Sequence, residues 1–318
     1  TFFVAYEAPA GTTFESLDKR KELVRVGRLA NPAWNHTVKE SEFVADYEAS
    51  KARVTAQLDF LMYRLNIWQF SSNPWLSPHA WEACRREFTL DNFRGRECFG
   101  GLDLASVKDS NSLSLCFPDV AAGTFDFLWW YWLPRERAEA LQNQTPWLQW
   151  EKDPRCNVTL TPGSAVYPEA VRKKVRELAG MFEIVELAFD PNGAEQCTRE
   201  ICEGIMIDGK IVEPETEIER FAFGQGIQTF NEPTKKFEEL VLSGKLRHNG
   251  DPVTTWQAGH AAVRRDVNDN CKPVKPDGKN GVKVIDGMIA GIMALGRAIA
   301  AQGEGSIYDD PNEGEVVF

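Results

Sequence analysis

Three apolar, β-rich runs stand almost end to end between residues 97 and 134: ECFGGLDLA, NSLSLCFPD and FDFLWWYWLP. Only short turn-forming stretches, SVKDS and VAAGT, separate them. Runs so closely spaced have no room for crossover helices, so they predict an antiparallel three-strand meander. The run YPEAVRKKVRELAGMF follows, with Pro168 near its first turn and Gly180 near its end, and predicts a helix. EIVELAFD comes next, a short apolar strand closed by Asp190. A strand this apolar after a helix belongs inside a sheet, so the fold class is α/β.

The rest of the chain is less constrained. Residues 1–9 read as a buried strand ending at Pro9, and 15–28 as a charged helix. Asn31-Pro32 breaks regular structure. Residues 41–63 have helix-like spacing with Ser41 as cap. The stretch from Arg64 to Cys84 is an aromatic connector; its Trp68, Trp75 and Trp81 serve either as base-stacking rings or as core residues. Residues 201–221, ICEGIMIDGKIVEPETEIERF, give no clear pattern. NEPTKKFEELVLSGKL is helical, 249–283 reads mostly as loop, and VIDGMIAGIMALGRAIAAQ is a helix with an apolar face including Ile285, Ile289, Ile292, Met293 and Ile299. The chain starts without Met in what reads as a strand already under way, so a piece of something longer is expected.

Composition narrows the function. With 318 residues, one large or two modest domains are expected at roughly 100–200 residues each. The net charge of −11 argues against a general DNA coat, which would be basic. It is compatible with carboxylates that hold metal ions, and the tail at 304–318 adds acid that reads as a solvated end. The seven Cys and four His form no usual zinc pattern. No run of about 18 apolar residues predicts a membrane span, and no signal peptide is present.

Three acids sit at the ends of predicted elements. Asp103 lies in the first strand of the meander, Asp190 at the end of the later strand, and Asp286 at the start of the last helix. In an RNase H-like mixed sheet flanked by helices the first and fourth strands are neighbours and a late helix crosses that edge, so the three converge. Phosphodiester hydrolysis needs an activated water and a stabilised leaving oxygen, and two hard cations roughly 3.5–4 Å apart serve both. Such cations take carboxylate oxygens. Singly, Asp103 also suits a strand-end turn, Asp286 a helix dipole, and IVELAFD a magnesium-positioning ATPase strand. The last needs a GxxxxGK[ST] loop, which this sequence lacks.

These motifs resemble those of tailed-phage terminase large subunits. CFGGLDLASVKDSNSLSLCFP is similar to the opening nuclease motif, with Asp103 at its catalytic position. IVELAFDPNGAEQ resembles the second motif and KVIDGMIAGIMALGRA the closing one, giving Asp190 and Asp286. ANPAW, LNIWQ and WLSPHAWEAC look like the end of the packaging ATPase and its connector. The resemblance implies three parts: an ATPase remnant and linker over 1–92, an RNase H-like nuclease over 93–303, and an acidic tail over 304–318. It implies an endonuclease that cuts concatemeric viral DNA during packaging with two Mg²⁺ or Mn²⁺ ions on Asp103, Asp190 and Asp286. The ATP pocket is absent from this chain. The implied partners are double-stranded DNA, the portal protein and the small terminase subunit, with no membrane, in the host cell cytoplasm.

DNA reaching three acids needs cations nearby. Arg264, Arg265, Lys272, Lys275, Lys279 and Lys283 precede Asp286 and form the expected phosphate-contacting rim. Arg172, Lys173, Lys174 and Arg176 make a second patch or an exposed helix face. His248 and His260 are either proton-transfer groups or structural, and Asp109, near Ser106 and Lys108, either a water-mediated metal contact or a turn residue. Two other functions remain open at this point: a non-cleaving interaction module of the packaging motor, and another RNase H-like nuclease of resolvase or transposase type.

Overall fold

The structure, a computed structural model, describes residues 6–9, 12–51, 54–67, 75–104, 110–276 and 282–304. The chain divides into two compact units, Thr1–Pro74 and Trp75–Phe318.

The first unit is helical: α1 (Arg20–Ala30), α2 (Glu40–Ser50) and α3 (Val54–Leu65), preceded by a short 3-10 turn at Glu15–Leu17. Leu17, Leu23, Val26, Phe43, Tyr47, Phe60 and Leu65 form its core. The single helix expected over 41–63 is two, and α2 starts after Lys39 without a side-chain cap rather than at a Ser41 cap. Of the strand expected over 1–9, residues 6–9 carry no regular structure, and 1–5 lie outside the described residues.

The second unit opens with α4 (Pro78–Ala83) and then builds one sheet. β1 (Glu97–Asp103), β2 (Asn111–Asp119) and β3 (Thr124–Pro134) form the antiparallel meander. α5 (Arg135–Ala140), α6 (Trp147–Trp150) and β4 (Val158–Thr161) follow, then α7 (Pro168–Ala179) and β5 (Glu183–Phe189). α8 (Pro191–Glu203) leads to a separate hairpin of β6 (Ile205–Ile207) and β7 (Lys210–Glu213), and then to β8 (Glu219–Ala222). α9 (Ile227–Leu242), β9 (Leu246–His248), α10 (Pro252–His260), a hairpin of β10 (Ala262–Arg265) and β11 (Cys271–Val274), and α11 (Asp286–Ile299) complete the fold. The sheet order is β4-β3-β2-β1-β5-β8, with β9 also on β3. β5 runs parallel beside β1, so the sheet is mixed. The loop expected over 249–283 thus contains a helix and a hairpin.

Alternation along the strands loads both faces of the sheet. Phe127, Trp129, Tyr131 and Leu133 face the layer containing α9 and α11. Leu128, Trp130 and Trp132 face α7 and α8, with Leu113, Leu115, Val171, Val175 and Ile201. α11 lies directly on β1: a Cβ on Gly101 would collide with the backbone carbonyl of Ala290 and the amide of Ala294. Glycine is therefore required there by close approach.

The two compact units meet at 74/75, inside the segment 1–92 that the resemblance reads as ATPase remnant and linker. Trp81 is 2% exposed and stacks on His248 at 4.3 Å, and Trp75 packs on Phe237, so 75–92 belongs with the sheet. These two rings are packing residues rather than base-stacking platforms; Trp68 lies outside the described residues.

Candidate metal and DNA site

Register brings the first two acids to one level. Leu102 pairs with Phe189 across the parallel β1–β5 ladder, so Asp103 and Asp190 come next on adjacent strand ends. Neighbouring strands are about 4.8 Å apart. The two acids are also in phase: Phe99, Gly101 and Asp103 alternate onto the α11 face of β1, and Glu186 and Ala188 onto the same face of β5. Glu186 is held there by Arg297 of α11 at 2.6 Å. Asp190 then leaves the strand to cap α8, its Oδ1 accepting the Asn192 amide at 3.0 Å.

Asp286 is the first residue of α11, on that same face. It is only 4% exposed. The Ser110 hydroxyl donates to its Oδ2, and the Lys275 ammonium stands 3.4 Å from its Oδ1. Ser110 directly precedes β2, and Ser112 is the residue paired with Asp103. The three acids therefore share one end and one face of the sheet. Among the described residues, no group of three or more His, Cys, Asp or Glu side chains is arranged to hold a metal ion. Two of the acids already have partners: Asp286 is engaged by Ser110 and Lys275, and Asp190 by the α8 amide. The donor set itself, carboxylate oxygens backed by a hydroxyl, suits hard divalent cations.

The expected cationic rim separates into two faces. Arg264 pairs with Lys272 across β10 and β11, on one side of the hairpin. The Lys272 ammonium is held below its ordinary range by burial first and then by Arg264, while Asp190 draws it the other way. Its Nζ donates to the Gln225 carbonyl at 2.8 Å. Arg265 lies on the opposite side and pairs with Asp269 at 3.0 Å and Glu238 at 3.8 Å. Lys283 is among the described residues, whereas Lys279 lies outside them, as do Ser106, Lys108 and Asp109.

The second basic patch is not one. Arg172 and Arg176 are largely buried and bound to Glu213, with Arg172 also on Glu200 at 2.8 Å. They clamp the base of the β6–β7 hairpin to α7 and α8. His248 is structural as well: it is buried at the end of β9 beside Phe127 of β3, bonded to the Trp81 carbonyl, and its pKa is pushed down to about 4 by burial. His260 Nε2 meets the Val284 carbonyl at 2.7 Å, two residues before Asp286. Ser110 and Gln257, which contact Asp286 and its neighbour Gly287, carried no signal in the sequence.

A family model for the terminase large subunit, endonuclease domain, matches residues 15–302. The chain belongs to this family. The large subunit of the terminase of Enterobacteria phage HK97 is 27% identical over 311 residues, which cover 96% of this chain and 56% of that protein. Protein YmfN of Escherichia coli strain K12 is 24% identical over 288 residues, covering 88% of this chain and 60% of that protein. The crystal structure of the HK97 large terminase superposes with a TM-score of 0.59 at 26% identity, over 92% of this chain and 56% of the other. The chain thus spans a little over half the length of these relatives. With the family assigned, the mixed sheet flanked by helices is an RNase H-like nuclease fold. Among the described residues, no helix is long and apolar enough to cross a membrane.

Proposed function

We propose that this chain is the DNA-cutting part of a phage packaging terminase, a metal-dependent endonuclease acting on concatemeric double-stranded viral DNA in the host cytoplasm. The observation that carries this reading is the placement of Asp103, Asp190 and Asp286 at one end and on one face of the sheet, beside the Arg264–Lys272 pair. On this reading the three carboxylates hold two Mg²⁺ or Mn²⁺ ions, which when bound supply a deprotonated water and charge stabilisation at the leaving oxygen.

The chain's own groups do the rest. Asp103 and Asp190 stand on rigid strand ends, so their separation is set by the ladder rather than by a loop. Ser110 orients the Asp286 carboxylate through one oxygen. Lys275 supplies the counter-charge that a buried carboxylate needs, and it lies where a phosphate would be met. Arg264 and Lys272 bind the DNA backbone and carry no base specificity, which fits a sequence-tolerant cutter. The portal protein and small terminase subunit are the partners that the family reading implies for the intact motor.

The test is supercoiled-plasmid cleavage with Mg²⁺, Mn²⁺ or EDTA by the wild type and by Asp103→Ala, Asp190→Ala and Asp286→Ala. Metal-dependent nicking by the wild type, lost in each variant, is expected. Cleavage by any variant at the wild-type rate refutes the assignment of that acid. A non-cleaving motor module is the second reading, favoured by the engagement of Asp286 with Lys275; a wild type inert with every metal yet still binding DNA supports it.

A further inference from the structure

α11 begins without the usual help. Its N-cap is Ile285, whose side chain offers no acceptor, so the first-turn amides need partners from elsewhere. They find them on α10. Thr254, Gln257 and His260 recur every third residue and are all buried, an unusual polar stripe inside an apolar layer. Gln257 Oε1 accepts the Gly287 amide at 2.8 Å, where a capping side chain would ordinarily act. His260 Nε2 donates to the Val284 carbonyl at 2.7 Å. Thr254 meets the Tyr131 hydroxyl at 2.6 Å, and a Cβ on Gly287 would strike that same hydroxyl. From the sheet, Trp129 Nε1 donates to the Gly287 carbonyl at 2.8 Å. The main chain is therefore held at Val284 and at both polar groups of Gly287, and Asp286 is one of the two residues enclosed between these points.

We propose that Gln257 and Trp129, with His260, are positioning residues that aim the Asp286 carboxylate at the metal site by fixing the main chain around it. This rests on the reading of Asp286 as a metal ligand. Their hydrogen bonds go to the peptide groups of Val284 and Gly287, so they act through the main chain. A carboxylate at the first residue of a helix turns with that helix's first turn, so a tilt of the turn moves its oxygens out of a shared ion's reach. Three fixed hydrogen bonds prevent the tilt, and their burial keeps water from replacing them.

The experiment titrates Mn²⁺ alone into the intact chain by isothermal titration calorimetry, beside thermal melting. Wild type against Asp286→Asn comes first: Mn²⁺ binding that weakens in this variant is the expected result, and binding that is absent or unaltered overturns the metal reading and this proposal with it. Gln257→Met keeps volume and loses the oxygen acceptor; Trp129→Phe removes the indole donor. Each is expected to weaken Mn²⁺ about tenfold or more, in the range usual for groups that orient metal ligands. Val175→Ala, in the cluster on the opposite face of the sheet, is expected to lower the melting temperature with Mn²⁺ affinity unchanged. If wild type depends on Asp286 but Gln257→Met and Trp129→Phe bind Mn²⁺ like wild type, the positioning role is refuted while the metal site stands. Should Gln257→Met fail to fold, Trp129→Phe decides the question by the same comparison.

Discussion

Replacing Gly101 by alanine adds one methyl group, yet it should be among the most damaging small changes in the second unit. The added carbon would fall on the Ala290 carbonyl and the Ala294 amide, both backbone of α11. A flexible side chain would swing aside, but helix backbone moves only as a body. Overpacking costs about 1–3 kcal/mol in general, and a rigid helix backbone as the neighbour puts this case near 3 kcal/mol. At about 2–4 °C per kcal/mol for a unit of this size, the melting temperature falls by about 6–12 °C. Gly224→Ala is the control, since its nearest atom would be the Thr229 hydroxyl at 3.5 Å, an ordinary contact. It should stay within about 2 °C of wild type. Differential scanning calorimetry of the three proteins reads both effects. A Gly101→Ala melt as close to wild type as the control would refute the claim that α11 rests on the strand backbone.

Two further outcomes follow from the electrostatics. His248 is held to a pKa of about 4 against 6.5 when exposed, so the unfolded chain takes up its proton first as pH falls. Stability is lost from pH 6.5 down to about 4, by up to about 3 kcal/mol. Asp251 acts in the opposite sense, since burial raises its carboxyl to about 7 and stability falls as pH rises from about 4 to 7. The His248 effect is therefore read by difference: urea melts of His248→Phe, which keeps a ring against Trp81, should show the smaller acid-side loss, and parallel pH profiles would contradict this. On DNA, Arg264→Gln with Lys272→Gln should weaken binding to any sequence and reduce the slope of log affinity against log salt by about 2, whereas Arg265→Gln, turned toward Glu238, should leave the slope alone. A slope lowered by Arg265→Gln as well would mean that the hairpin meets DNA with both faces.

The meander and the β5 strand were legible because apolar runs that long, so closely spaced, admit few arrangements. The end of α2 was not, because SKARV, from the last residue of α2 to the first of α3, contains neither Pro nor Gly to mark a break. α10 was hidden for a different reason. Helix reading relies on an apolar stripe, and the buried stripe of α10 is Thr254, Gln257 and His260. The β10–β11 hairpin has four-residue strands, too short for alternation to register against Asn, Asp and Pro neighbours. The acids were found by type and by family motif, but their supports were not. Ser110, Trp129 and Gln257 reach the Asp286 turn from three different elements, and a linear sequence carries no mark of such convergence.

An acidic chain that handles DNA must keep its excess charge away from the phosphate path, and here the distribution does so. Exposed carboxylates gather on the segment around the β6–β7 hairpin, at Glu203, Asp208, Glu215, Glu217 and Glu219. At the sheet end that carries Asp103, Asp190 and Asp286 the balance differs. Asp190 has Lys272 within its field, and Asp286 has Lys275 against one oxygen. On the proposed reading the cations there have two uses in turn. Before ions and DNA arrive they neutralise carboxylates that would otherwise be costly to hold together. When divalent ions take over that neutralisation, the same ammonium groups are left facing incoming phosphate. Net charge therefore argues against a passive DNA coat without excluding a nuclease, because the charge that matters on this reading is the local sum at the sheet end, and bound divalent ions would make that sum positive.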